Sequence, residues 1–335
     1  MSVEDPRDGH LSEFFPGYEP PPPPPKAHLE VGLYADVSHE DYHADPCARP
    51  SLSSGVARMI VDESPLHAHL IHPRLGAAGG KNSRVFDRGT MLHLLLLGKG
   101  QDFVEIEADN YKKAWAQQQR DAAYADKRVP VLSRELEEYN RIVKIFREKL
   151  AATVDDAGQP DPVVFDGESE LTGIWEEPIA GAADAGPVAC RLRADHWRPQ
   201  RLEILDVKTT VKSVSPRSIA RQLYDNGADV QHAHYTAGMS SLVDGAQGRV
   251  RMRYLFLEVN PPHDVVVIEP NGEYRELGRR RWSRALRRWA ACLGADAWPG
   301  HSGGRTLRIS PPKYAVNDDA EADMAAMGPP SRPDF

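Results

Sequence analysis

The sequence predicts an α/β (α+β) protein in which a run of helices precedes a central mixed β-sheet flanked by further helices. Two observations carry this. Between residues 51 and 152 apolar residues recur at helical spacing, and from 168 to 210 the pattern changes to strands separated by Gly and Pro. Helical and strand patterns then alternate as far as residue 293, as a sheet covered by helices requires.

Residues 1–30 include PGYEPPPPPPKAH, whose prolines favour extended polyproline II and cannot join a core, so this stretch reads as a disordered tail. SLSSGVARMIVDE (51–63) opens a helix behind serines. In SPLHAHLIHP (64–73), Ser64 is placed to cap a helix and Pro65 to occupy its first position. SRVFDRGTMLHLLLLGKG (83–100) is apolar at helical spacing and stops at Gly98 and Gly100, and helices at about 111–126 and 133–152 follow. ESELTGIWEEPI (168–179), PVACRLRADHW (187–197) and RLEILDVKTT (201–210) predict neighbouring antiparallel strands. Helices at about 215–224 and 229–243, strands at 249–260 and 263–270, and a long helix at 273–293 complete the core. Residues 313–335 read as a second flexible tail.

With 335 residues, 41% of them hydrophobic and 27% charged, the chain has the make-up of an ordinary globular protein. Its longest apolar run, MLHLLLLG (91–98), is half a bilayer span and contains His93, so no membrane partner is expected. The first residues, MSVEDPRDGHLSEFF, are acidic and lack the basic-then-apolar order of a signal peptide, which makes the cytoplasm the expected compartment. Three scattered cysteines support neither a disulfide framework nor a four-cysteine metal or iron–sulfur site. A net charge of −8 counts against nucleic acid as a partner unless the charge is unevenly distributed, and YRELGRRRWSRALRRW (274–289) does concentrate arginine. That helix could equally be a solvated face or a subunit interface.

RLEILDVKTT sets Asp206 and Lys208 on one face of an otherwise apolar strand, where desolvating charge is costly. In the preceding strand, alternation puts Arg191, Arg193 and Asp195 on a common face. If the two strands are neighbours, Asp195, Asp206 and Lys208 converge. Two adjacent carboxylates repel, and one retains its proton unless a cation sits between them. Few hard oxygen ligands, supplemented by water and phosphate, suit Mg²⁺ or Mn²⁺. A lysine beside such a cation can orient a water for attack on a phosphodiester.

Asp195, ten intervening residues and then Asp206-Val207-Lys208 resemble the signature of the PD-(D/E)XK nuclease superfamily, with RAD standing where the family has PD. The chain resembles in particular the RecE-type exodeoxyribonuclease VIII and phage exonuclease group. That similarity runs through DYHADP (41–46), PSLSSGVARMI (50–60), SPLHAHLIHP, RGTMLHLLLL (88–97), CRLRADHW, LDVKTT, VQHAHYTAGM (230–239) and DAWPG (296–300). It covers residues 33 to 312 in the family's order and leaves out the proline tail. The resemblance implies a restriction-endonuclease-like core in one domain, 31–312, with a helical part at 51–152 and the sheet at 163–293. It implies Asp195 and Asp206 as metal ligands, the Val207 carbonyl completing the shell, and Lys208 as the catalytic lysine. His93 matches a helical histidine beside the metal, and Glu170 matches an acidic residue five positions before the strand tryptophan, here Trp175. Gln231 and Tyr235 fit a Q-x-x-x-Y pattern on one helix face near the site. The activity implied is Mg²⁺-dependent digestion of linear duplex DNA from its ends, 5′ to 3′, yielding single strands for an annealing recombinase. The assembly implied is a ring-shaped homo-oligomer, a trimer or a tetramer.

Other readings stand beside these. His93 can be a core histidine, Glu170 a solvated strand residue, and Gln231 and Tyr235 simple helix anchors. Arg191 and Arg193 can contact phosphate or pair with neighbouring acids. His67, His69 and His72 invite a zinc reading, but no further ligand motif accompanies them, so a structural role or DNA contact is preferred. A RecB-like or Cas4-like nuclease acting on single strands would share the metal site, and a non-catalytic DNA-end clamp would share the fold.

Overall fold

Along the chain, strand β1 (Gly32–Tyr34) and the short helix α1 (His39–His43) come first, followed by α2 (Ser54–Asp62), α3 (Pro65–Ile71) and α4 (Arg88–Leu97). Next are β2 (Phe103–Ile106), α5 (Ala114–Ala125), β3 (Val129–Leu132) and α6 (Ser133–Ala151). The sheet strands β4 (Glu168–Glu177), β5 (Val188–Arg198) and β6 (Glu203–Thr210) lead to α7 (Pro216–Asp225) and α8 (Ala228–Leu242). Strands β7 (Arg251–Glu258) and β8 (Val265–Ile268) precede the long α9 (Gly272–Ala295) and α10 (Lys313–Ala326). This computed structural model describes residues 28–76, 88–100, 102–126, 128–179 and 186–326.

Six strands form the central sheet in the order β1-β4-β5-β6-β7-β8. All neighbours run antiparallel except β6 and β7, which are parallel because α7 and α8 carry the chain back across the sheet between them. The sheet is covered on both faces. On one, Ile204 of β6 and Met252, Tyr254 and Phe256 of β7 join a core with α2, α8 and α9 that contains Trp175, Trp282 and Trp289. On the other, Leu205, Val207, Leu255 and Leu257 pack on Leu92 and Leu96 of α4 and on Ile142 and Phe146 of α6. A strand buried on both faces has no apolar/polar alternation to show, which is why β6 reads as a nearly continuous apolar run.

The predicted α/β architecture is the observed one, and the helix starts follow their caps. Ser53 Oγ accepts from Val56 N–H, and Ser64 Oγ from His67 N–H ahead of Pro65. Asn271 caps α9 in the same way. α9 is held to α8 by Arg281, whose Nη1 donates to both carboxylate oxygens of the buried Asp229 at 2.8 and 2.7 Å. Gly278 lets the two helices approach this closely, since a Cβ there would lie 2.1 Å from the Asp229 carbonyl oxygen.

A second, two-stranded sheet, in which β2 pairs in parallel with β3 across α5, has no counterpart among the strands expected from sequence. Each strand is four residues long, and β3 (VPVL) contains Pro130, which argues against a strand unless no ladder donor is needed there. β1 and α1 also went unpredicted, being too short to show a period. Helix α10 lies where a tail was expected, and its side chains from 313 to 324 are exposed. Residues 83–87, expected to start α4, the tail up to residue 27 and the end from 327 lie outside the described residues. Among the described residues no helix is long and apolar enough to cross a membrane. Cys47, Cys190 and Cys292 are free thiols, each buried.

At the start of β6 the fully buried Glu203 is clamped by arginines: Nη1 of Arg198 at 2.7 Å, and Nε and Nη2 of Arg253 at 2.7 and 3.0 Å. Asp161 extends this network through Arg201, Arg251 and Arg253. Removing one member of such a buried network leaves its partners charged in the core. Glu203→Ala is therefore expected to lower the unfolding free energy by about 3–5 kcal/mol in a denaturant titration. A loss well under about 1 kcal/mol, the range of an exposed pair, would show that the network does not hold this end of the sheet.

Candidate active site

Glu170, Asp195 and Asp206 stand in one row across β4, β5 and β6. The flanking pairs Ser169↔His196 and Leu171↔Ala194 set Glu170 opposite Asp195. Pairing of β5 with β6 ends at His196↔Leu205, so the next positions along are Asp195 and Asp206. The backbone is distorted at this row. Glu170 has φ +55°, in the left-handed region that few non-glycine residues enter. Ser169 donates to the Leu97 carbonyl of α4 at 3.0 Å, whereas Leu171, two residues on, belongs to the core on the opposite face. Alternation is thus interrupted at Glu170.

At Asp195 the regular ladder gives way to a side-chain contact. Val207 N–H donates to Asp195 Oδ2 at 2.7 Å, and Nε2 of His93, reaching over from α4, lies 3.2 Å from the same oxygen. His93, Glu170 and Asp195 each offer a ligand atom, all within 4.8 Å of one another. Glu170 also pairs with Arg193. Asp206 stands outside this trio: its Oδ2 pairs with Lys208, and its Oδ1 accepts from Gln231 Nε2 at 2.6 Å. One turn further along α8, Tyr235 OH donates to the Arg193 carbonyl at 3.0 Å. The trio opens onto a cavity of about 290 Å³, lined also by His39, Tyr42 and Arg193. Nε and Nη1 of Arg193 are buried without a hydrogen bond to another described residue.

Burial and neighbours push these groups apart in acidity. Burial lifts the Asp206 carboxyl above its ordinary value against the pull of Lys208, and the Asp195 charge adds to the lift. Burial likewise raises Glu170 despite Arg193. Asp195 goes the other way: burial disfavours its charge, but His93, Lys208 and the Val207 N–H outweigh it and hold the carboxyl low. His93 is raised because Asp195 overcomes its desolvation, and Lys208 is raised because Asp206 and Asp195 do the same. Among the described residues the arrangement therefore has an ionised carboxylate at its centre with cationic groups drawn to it.

No family model and no curated protein matches the chain. The solved structures that resemble it at low identity include two exonuclease-named proteins. One is a Eubacterium rectale protein provisionally named an exonuclease, 11% identical, with a TM-score of 0.47 over 84% of this chain and 98% of its own. The other is a phage-related exonuclease from Haemophilus somnus 129PT, also 11% identical, with a TM-score of 0.30 over 74% of this chain and 96% of its own.

Of the residues singled out from sequence, His93, Glu170, Arg193, Asp195, Asp206, Lys208, Gln231 and Tyr235 are brought together, and Val207 joins them through its N–H. Tyr42 on the cavity wall was not singled out, although it lies in DYHADP. Arg191 requires a correction. Instead of facing phosphate, it is buried, with Nη1 3.1 Å from Asp45 Oδ1 and 2.6 Å from Ser51 Oγ. The three histidines of HAHLIH also part company: His72 is buried against Asp45 and the Ser51 carbonyl, His69 packs on Trp298, and His67 lies beside His301.

The Asp45 carboxyl is burdened by burial, yet the hydrogen bond from His72, the Arg191 charge and the Ser51 hydrogen bonds hold it down at about 2. A carboxylate depressed in the folded state stabilises fully above its unfolded value, and that stability is lost as pH falls through the folded one. Here the window runs from the ordinary 3.8 down to about 2. The amount at stake is about 2 kcal/mol. Denaturant midpoints measured across this window should fall with acid less steeply in Asp45→Asn than in the wild type. Equal slopes would mean that this carboxylate is not what ties α1 to β5.

Proposed function

We propose that the protein is a divalent-metal-dependent deoxyribonuclease that digests linear duplex DNA from its ends, 5′ to 3′, exposing single strands for an annealing recombinase. The observation that carries this reading is the convergence of His93, Glu170 and Asp195 beside the Asp206–Lys208 pair, at a cavity that Arg193 also lines. The donor set fits a cation, because two carboxylates and an imidazole nitrogen already lie within 4.8 Å of one another. Asp195, Glu170 and His93 would hold it, with Asp206 as the adjoining carboxylate and the Val207 carbonyl a further oxygen. When bound, Mg²⁺, or Mn²⁺ in its place, supplies Lewis acidity toward the phosphodiester.

The remaining roles fall to the chain's own groups. Lys208 Nζ, held charged beside Asp206, orients the attacking water and stabilises negative charge as it develops on phosphorus. Gln231 fixes the Asp206 carboxylate, so that Lys208 is not free to swing away. Tyr235 secures the β5 backbone at Arg193, whose guanidinium on the cavity wall is the group to bind a phosphate oxygen. A ring of three or four subunits would reconcile duplex binding with a net charge of −8, since only a channel needs positive potential.

End-labelled linear duplex and covalently closed circles, incubated with Mg²⁺ or with EDTA, test this reading. Release of 5′ label from linear DNA alone, dependent on Mg²⁺, is the expected result. Lys208→Ala and Asp195→Asn should each slow it by on the order of 10²- to 10³-fold, with the fold retained. Cutting of circles, a strict preference for single strands, or binding without any Mg²⁺-dependent product would overturn the proposal.

A further inference from the structure

Remote from the cavity, at the junction of α2 and α3, three side chains meet that the nuclease chemistry does not use. Glu63 ends α2, His67 lies in the first turn of α3, and His301 comes from the segment after α9. Each offers a ligand atom within 4.8 Å of the others. Nε2 of His301 is 3.5 Å from Glu63 Oε2, and the two imidazole rings are 5.2 Å apart between centroids. Ligands at roughly 2.1 Å around a tetrahedral ion sit about 3.4 Å from each other, so this edge already has the required length.

A second observation concerns the orientation of His67. Its Nδ1 lies 2.7 Å from Ser64 Oγ, the hydroxyl that also caps α3 by accepting from His67 N–H. With Nδ1–H donating to that oxygen, the lone pair is left on Nε2, which is how a hydrogen bond behind a metal-binding histidine sets its tautomer. The segment bearing His301 is itself anchored: Leu66 N–H donates to the Pro299 carbonyl at 3.2 Å, and Trp298 packs on His69 and Trp289. All three ligand residues are exposed, so an ion can enter from solvent and find room for a fourth ligand.

We propose that Glu63, His67 and His301 form a second metal site, selective for a divalent transition metal such as zinc over Mg²⁺, that pins the chain after α9 to the α2–α3 corner. Two imidazoles and one carboxylate with an open position form a zinc-type donor set, whereas Mg²⁺ favours oxygen donors. The site joins residues far apart in sequence, so an ion there adds a restraint to the segment that the Leu66–Pro299 hydrogen bond and the Trp298 packing already attach.

Cobalt(II) reports on such a site through the visible d–d absorption of tetrahedral coordination. Titrated into the full chain carrying Asp195→Asn, in excess Mg²⁺, cobalt should give an absorption that saturates at one equivalent and is displaced by zinc. His301→Ala and His67→Ala should each abolish it, with circular dichroism confirming the fold. Ser64→Ala should weaken cobalt binding by about 10- to 100-fold, and Ser64→Thr should restore it. His301 is exposed on an irregular segment, so its variant decides the matter even if His67→Ala proves unstable. Absence of the absorption, or its persistence unchanged in His301→Ala, would overturn the proposal.

Discussion

The hydrogen bond from Val207 N–H to the Asp195 carboxylate is the contact on which the site depends. It forms where β5 leaves its regular pairing with β6, and it replaces a backbone acceptor with a side-chain one. Asp195 is thereby fixed between Glu170 and Asp206, in a row of acids that must repel one another. Two cations and an imidazole answer them: Lys208 from β6, Arg193 from β5 and His93 from α4. Because each acid meets a different mixture of burial and charge, one is driven toward the ionised form and two away from it. Helices from both faces of the sheet are needed to complete this balance, since His93 approaches from α4 and Gln231 from α8.

Strand β6 shows how the surroundings of a charge separate scaffold from site. At its first residue Glu203 is met by Arg198 and Arg253, of which Arg253 also holds Asp161, an arrangement that ties strand ends together. Three residues later Asp206 meets one ammonium and one amide, next to Asp195, which lines the cavity. Both acids are buried, so burial alone does not tell them apart. The difference lies in the charge that faces them: guanidinium groups of Arg198 and Arg253 meet Glu203, whereas Asp206 has a single ammonium and a neutral amide.

Much of this was legible in the chain. The change from helical to strand periodicity placed β4, β5, β6 and the covering helices, and the Gly and Pro between the strand runs anticipated neighbouring antiparallel strands. What escaped was short or depended on distant partners. The four-residue strands β2 and β3 carry too few residues to show a period, and Pro130 masks one of them. Arg191 shares a strand face with Arg193, yet its fate is decided by Asp45 and Ser51, more than a hundred residues earlier. Glu63 and His301 are separated by almost the whole fold, and no local pattern could pair them.

The three thiols carry a practical consequence for chemical biology. Each is buried, and burial raises each above the ordinary thiol value, Cys47 to about 11. Only the thiolate attacks alkylating reagents, so the native cysteines are poor nucleophiles on two counts. A cysteine engineered onto the surface would therefore react first, and a fluorophore or spin label could be attached without stripping the wild-type background.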